Sequence, residues 1–438
     1  LNLQALCNCF ETLIDIADHS SIYFQPYLQM IVFPLLDYLE TNHLTFKLFT
    51  FGFHSLILEY LVTLSIHETK KIKKCKGPNN EKEYFITRIL PICLQYMAIL
   101  PKENHWETAD TVEEIHYDSS YHDIGEAAFR RCISVFGIKS TYTIISTLLS
   151  HYLTSNDWEK VYAGLQCLSG YVEITVNISN PSQLLLHRKE VTQTIHHFIT
   201  NAPHPRVRYN AFYALSQFIL FHGNELTTSV LQDFIQLIGQ HTRQAANSSP
   251  RIRRNALIAL IQLIDISSAS FVSQHVSYLL EIICSALQEG PTIVQESCVS
   301  AIISIAETSR GNTELWNHYY PLIMPILKQL FSFSQKKSLE SLWCQTLECI
   351  SVLGESAGKS LFYEDACDLM NLLTSIQSTL QQHSSLESTL LKAWVRLGRC
   401  LGSEFLPYLP SIMEKLFEAL SQDIIANPQE LENRRNKG

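Results

Sequence analysis

The chain has 438 residues, 46% of them hydrophobic and 17% charged, which supplies a large core and excludes a disordered polymer. Its 33 basic and 42 acidic residues leave a net charge of −9, the wrong sign for a protein built to hold a nucleic-acid backbone. With 15 Gly and 15 Pro over this length, punctuation is too sparse for an all-β fold, which needs a turn about every 8–12 residues.

In chain order, Leu44 to Ile66 is the run that comes closest to a membrane span, but Lys47, His54 and Glu59 interrupt it. A buried helix is therefore expected there, and neither a membrane span nor a signal peptide is expected. The chain opens on Leu1 rather than Met, so a fragment or an incomplete chain is expected. Lys70 to Glu83 (KKIKKCKGPNNEKE) is polar and turn-rich and is expected to be an inter-helix loop. Its lysines, Lys70 to Lys76, read either as a solvated loop or as a localisation or nucleic-acid patch. Lys102 to Asp123 lacks helical periodicity and carries Glu103, Glu107, Asp110, Glu113, Glu114, Asp118 and Asp123 with Trp106, Tyr117 and Tyr121 among them. A long loop in a regular array often has a function. Acids interleaved with aromatics suit a basic partner, against the alternative of a solvated loop.

The middle of the chain repeats itself. Pro205-Arg206-Val207-Arg208-Tyr209-Asn210-Ala211 recurs as Pro250-Arg251-Ile252-Arg253-Arg254-Asn255-Ala256, a spacing of 250 − 205 = 45. A weaker copy begins at Pro291, and Asp157-Trp158 lies 48 residues before Pro205. These intervals bracket the about 40–47 residue period of HEAT and armadillo repeats. Val207, Ala211, Ala214, Leu215 and Phe218 fall on one helical face, and Pro suits a helix start. Helices are also expected over Val230–Ile238, Val276–Leu287 and Tyr319–Phe331. The expected fold is all-α: a solenoid of roughly nine or ten helical hairpins, each burying its apolar face on its neighbours.

Motifs for catalysis are weak. Gly354-Glu355-Ser356-Ala357-Gly358-Lys359-Ser360 resembles a phosphate-binding loop but has three residues between its glycines instead of four, and it follows an expected helix, Leu347 to Leu353. A helix end capped by glycine is the simpler reading. Among 17 His and 12 Cys there is no HExxH, no CxxC and no cluster with zinc-ligand spacing. The cysteines, including Cys132, Cys167, Cys284, Cys298 and Cys349, are expected to be free thiols acting as small core residues in a reducing compartment. No enzyme activity, cofactor or metal is expected. Glu173, Asp265, Glu307 and Glu348 each fall late in the second helix of a repeat, which would align them on one inner surface as spaced negative charge, or leave them as ordinary surface acids.

The ordered set Asp157-Trp158 with Ala163-Gly164-Leu165, His204-Pro205-Arg206-Val207-Arg208-Tyr209-Asn210-Ala211, Tyr319-Tyr320 with Leu322-Ile323-Met324-Pro325, Thr346-Leu347-Glu348-Cys349-Ile350-Ser351 with Gly358-Lys359, and Ala393-Trp394 with Leu401-Gly402, Glu404-Phe405 and Tyr408-Leu409-Pro410 resembles the karyopherin-β (importin-β superfamily) nuclear transport receptors, their importin-5 branch in particular. The likeness runs from Asp157 to about Ser421 and is thinner upstream. It implies a receptor that carries basic cargo through nuclear pores with release by Ran-GTP. It also implies nucleoporin contacts and shuttling between cytoplasm and nucleus. Cargo lysines would be held on the concave face by Glu173, Gln262, Asp265 and Glu307, to which the acid row adds Glu348. Glu107, Asp110, Glu113, Glu114 and Asp118 would meet Ran or a basic partner. Three departures stand out: Phe221 where the family has an acid, Gln262 for an Asn, and Asp265 for a Glu. The loop is also less acidic than the family's insert, and the family's amino- and carboxy-terminal repeats are expected to be missing from this stretch. The expected organisation is divergent repeats over 1–101, the acidic loop over 102–123, repeats with the cargo face over 124–421, and a polar tail over 422–438. A monomer without membrane or direct nucleic-acid partners is expected. The alternative is a HEAT scaffold subunit of a cytosolic complex that ignores Ran.

Overall fold

The structure is a computed structural model, and it describes residues 3–42, 51–77, 81, 83–100, 106–108, 121–175, 181–243, 249–377, 384–410, 412–413 and 417. The expected tail over 422–438 lies outside them. Among the described residues there are helices and turns and no strand, and no helix is long and apolar enough to cross a membrane.

The chain divides into two units. The first, Leu1–Ile266, holds α1 (Leu3–Ser20), α2 (Leu28–Asn42), α3 (Phe51–His67), the single turn α4 (Thr69–Ile72), α5 (Tyr84–Met97), α6 (Tyr121–Phe136), α7 (Ile138–Leu153), α8 (Trp158–Thr175), α9 (Pro181–Asn201), α10 (Pro205–His222), α11 (Thr228–Arg243) and α12 (Pro250–Ile266). The second, Ser267–Gly438, holds α13 (Ala269–Glu289), α14 (Thr292–Thr308), α15 (Thr313–Lys336), α16 (Glu340–Ala357), α17 (Lys359–Gln377) and α18 (Ser384–Leu401). In the first unit α1, α3, α6, α8, α10 and α12 pack in succession as a layer of second helices, with α2, α5, α7, α9 and α11 as their first-helix partners. In the second unit α14, α16 and α18 form the same kind of layer, paired with α13, α15 and α17. Eight hairpins thus lie among the described residues. α1 stands where a ninth would put its second helix, and helical residues after the 3₁₀ turn Gly402–Tyr408 open another.

The sequence accounts for the layering. Val207, Ala211, Ala214, Leu215 and Phe218 are all essentially inaccessible, as their common face requires. In α8 every residue from Val161 to Val172 is buried, because a second helix is covered by its own partner and by the second helices on either side. Each fully buried Val, Leu, Ile or Phe contributes on the order of 1.5–3 kcal/mol. Helix starts are capped: His204 accepts from the Arg206 amide at 3.3 Å, Ser268 from Phe271 at 3.3 Å and Asn312 from Leu315 at 3.2 Å.

The repeated Pro-Arg-x-Arg-x-Asn motif divides its labour by position. The second arginine reaches back to the end of the preceding first helix: Arg208 donates to the Ala202 carbonyl at 2.8 Å, and Arg253 to that of Thr242 at 3.1 Å. A cation there satisfies orphan carbonyls and complements the helix dipole. The asparagine reaches back to the preceding second helix: Asn210 donates to the Tyr162 carbonyl at 2.8 Å, and Asn255 to that of Tyr209 at 3.2 Å. One motif therefore closes its own hairpin through the arginine and ties it to the hairpin before through the asparagine.

Two boundaries differ from expectation. Lys70, Lys71 and Ile72 form the turn α4 rather than loop, because Ile72 is 1% exposed and pulls the chain into a helical turn. Asp123 lies in the first turn of α6 rather than in the acidic loop, where a carboxylate is favoured by the helix dipole.

Candidate functional site

Asp265 is the penultimate residue of α12, and Gln262 lies one turn before it on the same face. Asp265 is exposed and Gln262 half-buried, and among the described residues neither side chain has a hydrogen-bond or ion-pair partner. In the second unit Glu307 holds the same penultimate place in α14, also exposed and likewise without a side-chain partner among the described residues. Phe221 occupies the corresponding place in α10 and is half-buried.

The other two acids of the row differ. Glu173, near the end of α8, is paired with Arg130 of α6, whose guanidinium also binds Glu126 at 2.8 Å and the Tyr213 hydroxyl at 3.3 Å. Glu348 lies at the middle of α16 rather than late in it, because that helix starts at Glu340 without a proline to mark its register. It accepts from Arg396 at 3.3 Å. The late position of α16 belongs to Glu355, which sits 3.3 Å from Arg310 and 3.4 Å from Arg399. A further bridge of this kind, Arg131 to both Glu59 oxygens at 2.6 and 2.7 Å, joins α6 to α3. The row is thus of two kinds, open carboxylates and carboxylates neutralised by a neighbouring second helix. The arginines went unread in the sequence. Their signal was an opposite charge about one repeat away, 48 residues from Glu348 to Arg396 and 43 from Arg130 to Glu173.

Of the acidic segment, Trp106–Thr108 is a 3₁₀ turn, and Asp110, Glu113, Glu114 and Asp118 lie outside the described residues. Glu107 is exposed, close enough to His204 to favour its charged form electrostatically, although burial and Arg206 together push that histidine's pKa down. Trp106 is 8% exposed and docks far along the chain. Its ring is edge-on to Tyr209 at 5.4 Å, and the guanidinium groups of Arg206 and Arg251 stand 5.3 and 5.2 Å from its centroid. Arg206 also faces Trp158 at 5.9 Å, and Trp158 stacks on His204 at 3.7 Å.

The remaining motifs are accounted for by structure. α16 ends at Ala357, Gly358 follows at φ +89°, and α17 starts at Lys359. Lys359 donates to the Leu401 carbonyl at 3.2 Å and lies 3.5 Å from Glu404, so its ammonium is engaged in tying α17 to the end of α18. In the basic run, Lys73 donates to the Phe136 carbonyl at 2.9 Å and covers the Phe136 ring, capping α6. Cys132, Cys167, Cys298 and Cys349 are buried and Cys284 half-buried, all as free thiols. Burial pushes the Cys132 thiol up to about 12, which makes it inert rather than nucleophilic. Among the described residues no group of His, Cys, Asp or Glu is arranged to hold a metal ion. On the first-helix layer an open groove of 790 Å³ runs between α7 and α9, floored by Leu168 and Tyr171.

No protein-family model matches the chain. The chain is 24% identical over 419 residues to importin subunit beta-3 of Saccharomyces cerevisiae, covering 94% of this chain and 36% of that one. It is 28% identical over 133 residues to the probable importin-5 homolog of Dictyostelium discoideum, covering 30% and 12%. Among solved structures, Kap121p bound to Pho4p and Kap121p bound to Nup53p each superpose with a TM-score of 0.75 at 21% identity, over 95% of this chain and 38% of Kap121p. The fold is that of the karyopherin α-solenoid, and the relatives are importins, as the sequence resemblance implied. The chain spans little more than a third of the length of beta-3 or Kap121p.

Proposed function

We propose that the chain is a nuclear import receptor of the karyopherin-β type, or the central part of one, that holds lysine-rich segments of cargo proteins on its second-helix layers. Release by Ran-GTP, contact with nucleoporins and shuttling between cytoplasm and nucleus belong to the same reading. The observation that carries it is an open carboxylate at the penultimate register of a second helix in each unit, Asp265 in α12 of the first, with the Gln262 amide a turn away, and Glu307 in α14 of the second. A lysine ammonium has three donors and no acceptor, so it needs acceptors that the protein has not already used. The neutralised acids Glu173 and Glu348 are support rather than ligand in this reading, and their arginines would repel a basic segment. Phe221 offers an aromatic in place of a charge, which favours a cargo with an apolar or aliphatic residue at that point.

The test is binding of a fluorescent lysine-rich peptide at low salt. Asp265→Lys and Glu307→Lys are each expected to weaken it by about fivefold or more, since an exposed pair contributes up to about 1 kcal/mol and reversal adds repulsion. Glu348→Gln is expected to change it by less than about twofold. A pulldown with Ran loaded with GTP or GDP tests release. Full binding by the Asp265→Lys/Glu307→Lys double variant would remove the cargo reading and leave a Ran-independent scaffold in its place.

A further inference from the structure

The contacts of Trp106 are unusual for a repeat array. Units of such an array touch only their neighbours, so its interfaces are energetically independent. Trp106 precedes α6 in the chain, yet it is seated on α10 and α12, 206 − 106 = 100 and 251 − 106 = 145 residues away. Arg206 and Arg251 are the same residue of two consecutive motif copies, 45 apart, and one indole ring meets both. Tyr209, three residues after Arg206, closes the edge. Indole is the ring best suited to a guanidinium, and the attraction grows where water is excluded, as it is around a residue 8% exposed.

We propose that Trp106 is an internal brace: it occupies a two-arginine seat on α10 and α12 and locks these two second helices to each other and to the segment between α5 and α6. This gives the motif's first arginine a role distinct from that of Arg208 and Arg253, which reach the ends of the first helices. Without the brace the α10–α12 interface rests on hairpin packing and the Asn255 bond. With it, the starts of α10 and α12, opposite the ends that carry Phe221 and Asp265, are held at one spacing. The brace does not depend on what the second-helix layer binds.

The test is hydrogen exchange on the full chain, comparing Trp106→Gly, Trp106→Gly with added indole, and Trp106→Phe. Trp106→Gly is expected to speed exchange at Arg206–Asn210 and Arg251–Asn255 by about tenfold or more, with α14 and α16 unchanged as internal controls. Free indole should refill the seat and restore the slow rates, and Trp106→Phe should lie between. Unchanged exchange at both segments overturns the proposal, as does acceleration that also reaches α14 and α16 and that indole does not reverse. If Trp106→Gly does not fold, Trp106→Phe decides: local acceleration supports the brace and none overturns it.

Discussion

Gly354 is where the residue scale separates packing from chemistry. A Cβ built there would stand 2.2 Å from the ring of Phe362, which is fully buried. Replacing glycine by alanine within a helix usually gains up to about 1 kcal/mol of propensity. Here that gain is opposed by an overpacking cost of about 1–3 kcal/mol, so Gly354→Ala is expected to destabilise the chain. A higher denaturation midpoint for the variant would show that Phe362 yields. The glycine is thus required by the α16–α17 contact, not by a phosphate. Asn210 gives a second case. Its amide is 1% exposed and adds a second hydrogen bond to the Tyr162 carbonyl, which α8 already engages, so Asn210→Ala removes a buried bond and should cost about 0.5–1.5 kcal/mol. Asn255→Ala breaks the longer and partly exposed equivalent bond and should cost less, which parallel denaturation of the two variants will check.

At the scale of elements, the ends of α8 and α10 are joined through a histidine. His222 Nε2 lies 2.9 Å from the Thr175 hydroxyl and 3.1 Å from the Val172 carbonyl. Burial lowers its pKa below the ordinary 6.5, and Arg188 adds a like charge in the same direction. His241, in the last turn of α11, and His204 at the start of α10 are lowered by burial as well. The folded state therefore binds fewer protons than the unfolded chain just below the ordinary histidine pKa, and ∂ΔG_unfold/∂pH is positive there. This contribution is intact above about pH 6.5 and is lost as pH falls from there through the lowered folded-state values. The melting temperature is expected to drop between about pH 7.5 and about pH 5.5, and His222→Gln is expected to make that drop shallower. A variant whose melting temperature falls as steeply as the parent's would show that His222 is not among the responsible groups.

For the molecule as a whole, the 45-residue period fixed the fold class because each motif copy begins a second helix with a proline that the sequence displays. Where that marker is missing the register differs from expectation, as with Glu348 in α16, and α4 stands in place of the expected loop because one buried isoleucine outweighs the five lysines of Lys70 to Lys76. Partners one repeat away, such as Arg396, and the seat of Trp106 depend on stacking between hairpins, which composition and local periodicity do not encode. The same stacking makes the charge of the chain a collective property. Its net −9 would attract a basic partner from a distance, while at contact, among the described residues, the carboxylates without an internal arginine would remain to be used. The Debye length is about 10 Å at 0.1 M salt and about 3 Å at 1 M, so attraction to exposed Asp265 and Glu307 is largely screened across that range. The dissociation constant of a lysine-rich peptide is accordingly expected to rise by about tenfold or more between those salt concentrations. The Asp265→Lys/Glu307→Lys variant should bind more weakly at low salt and with a flatter salt dependence, because the groups being screened are gone. A partner held on apolar ridges would behave oppositely: salt would leave its affinity unchanged or raise it, and reversing two exposed acids would matter little. Titrating one peptide into parent and variant at the two salt concentrations separates these physical origins in four measurements, with affinity insensitive to both salt and charge reversal as the result that rules out an acidic receptor surface.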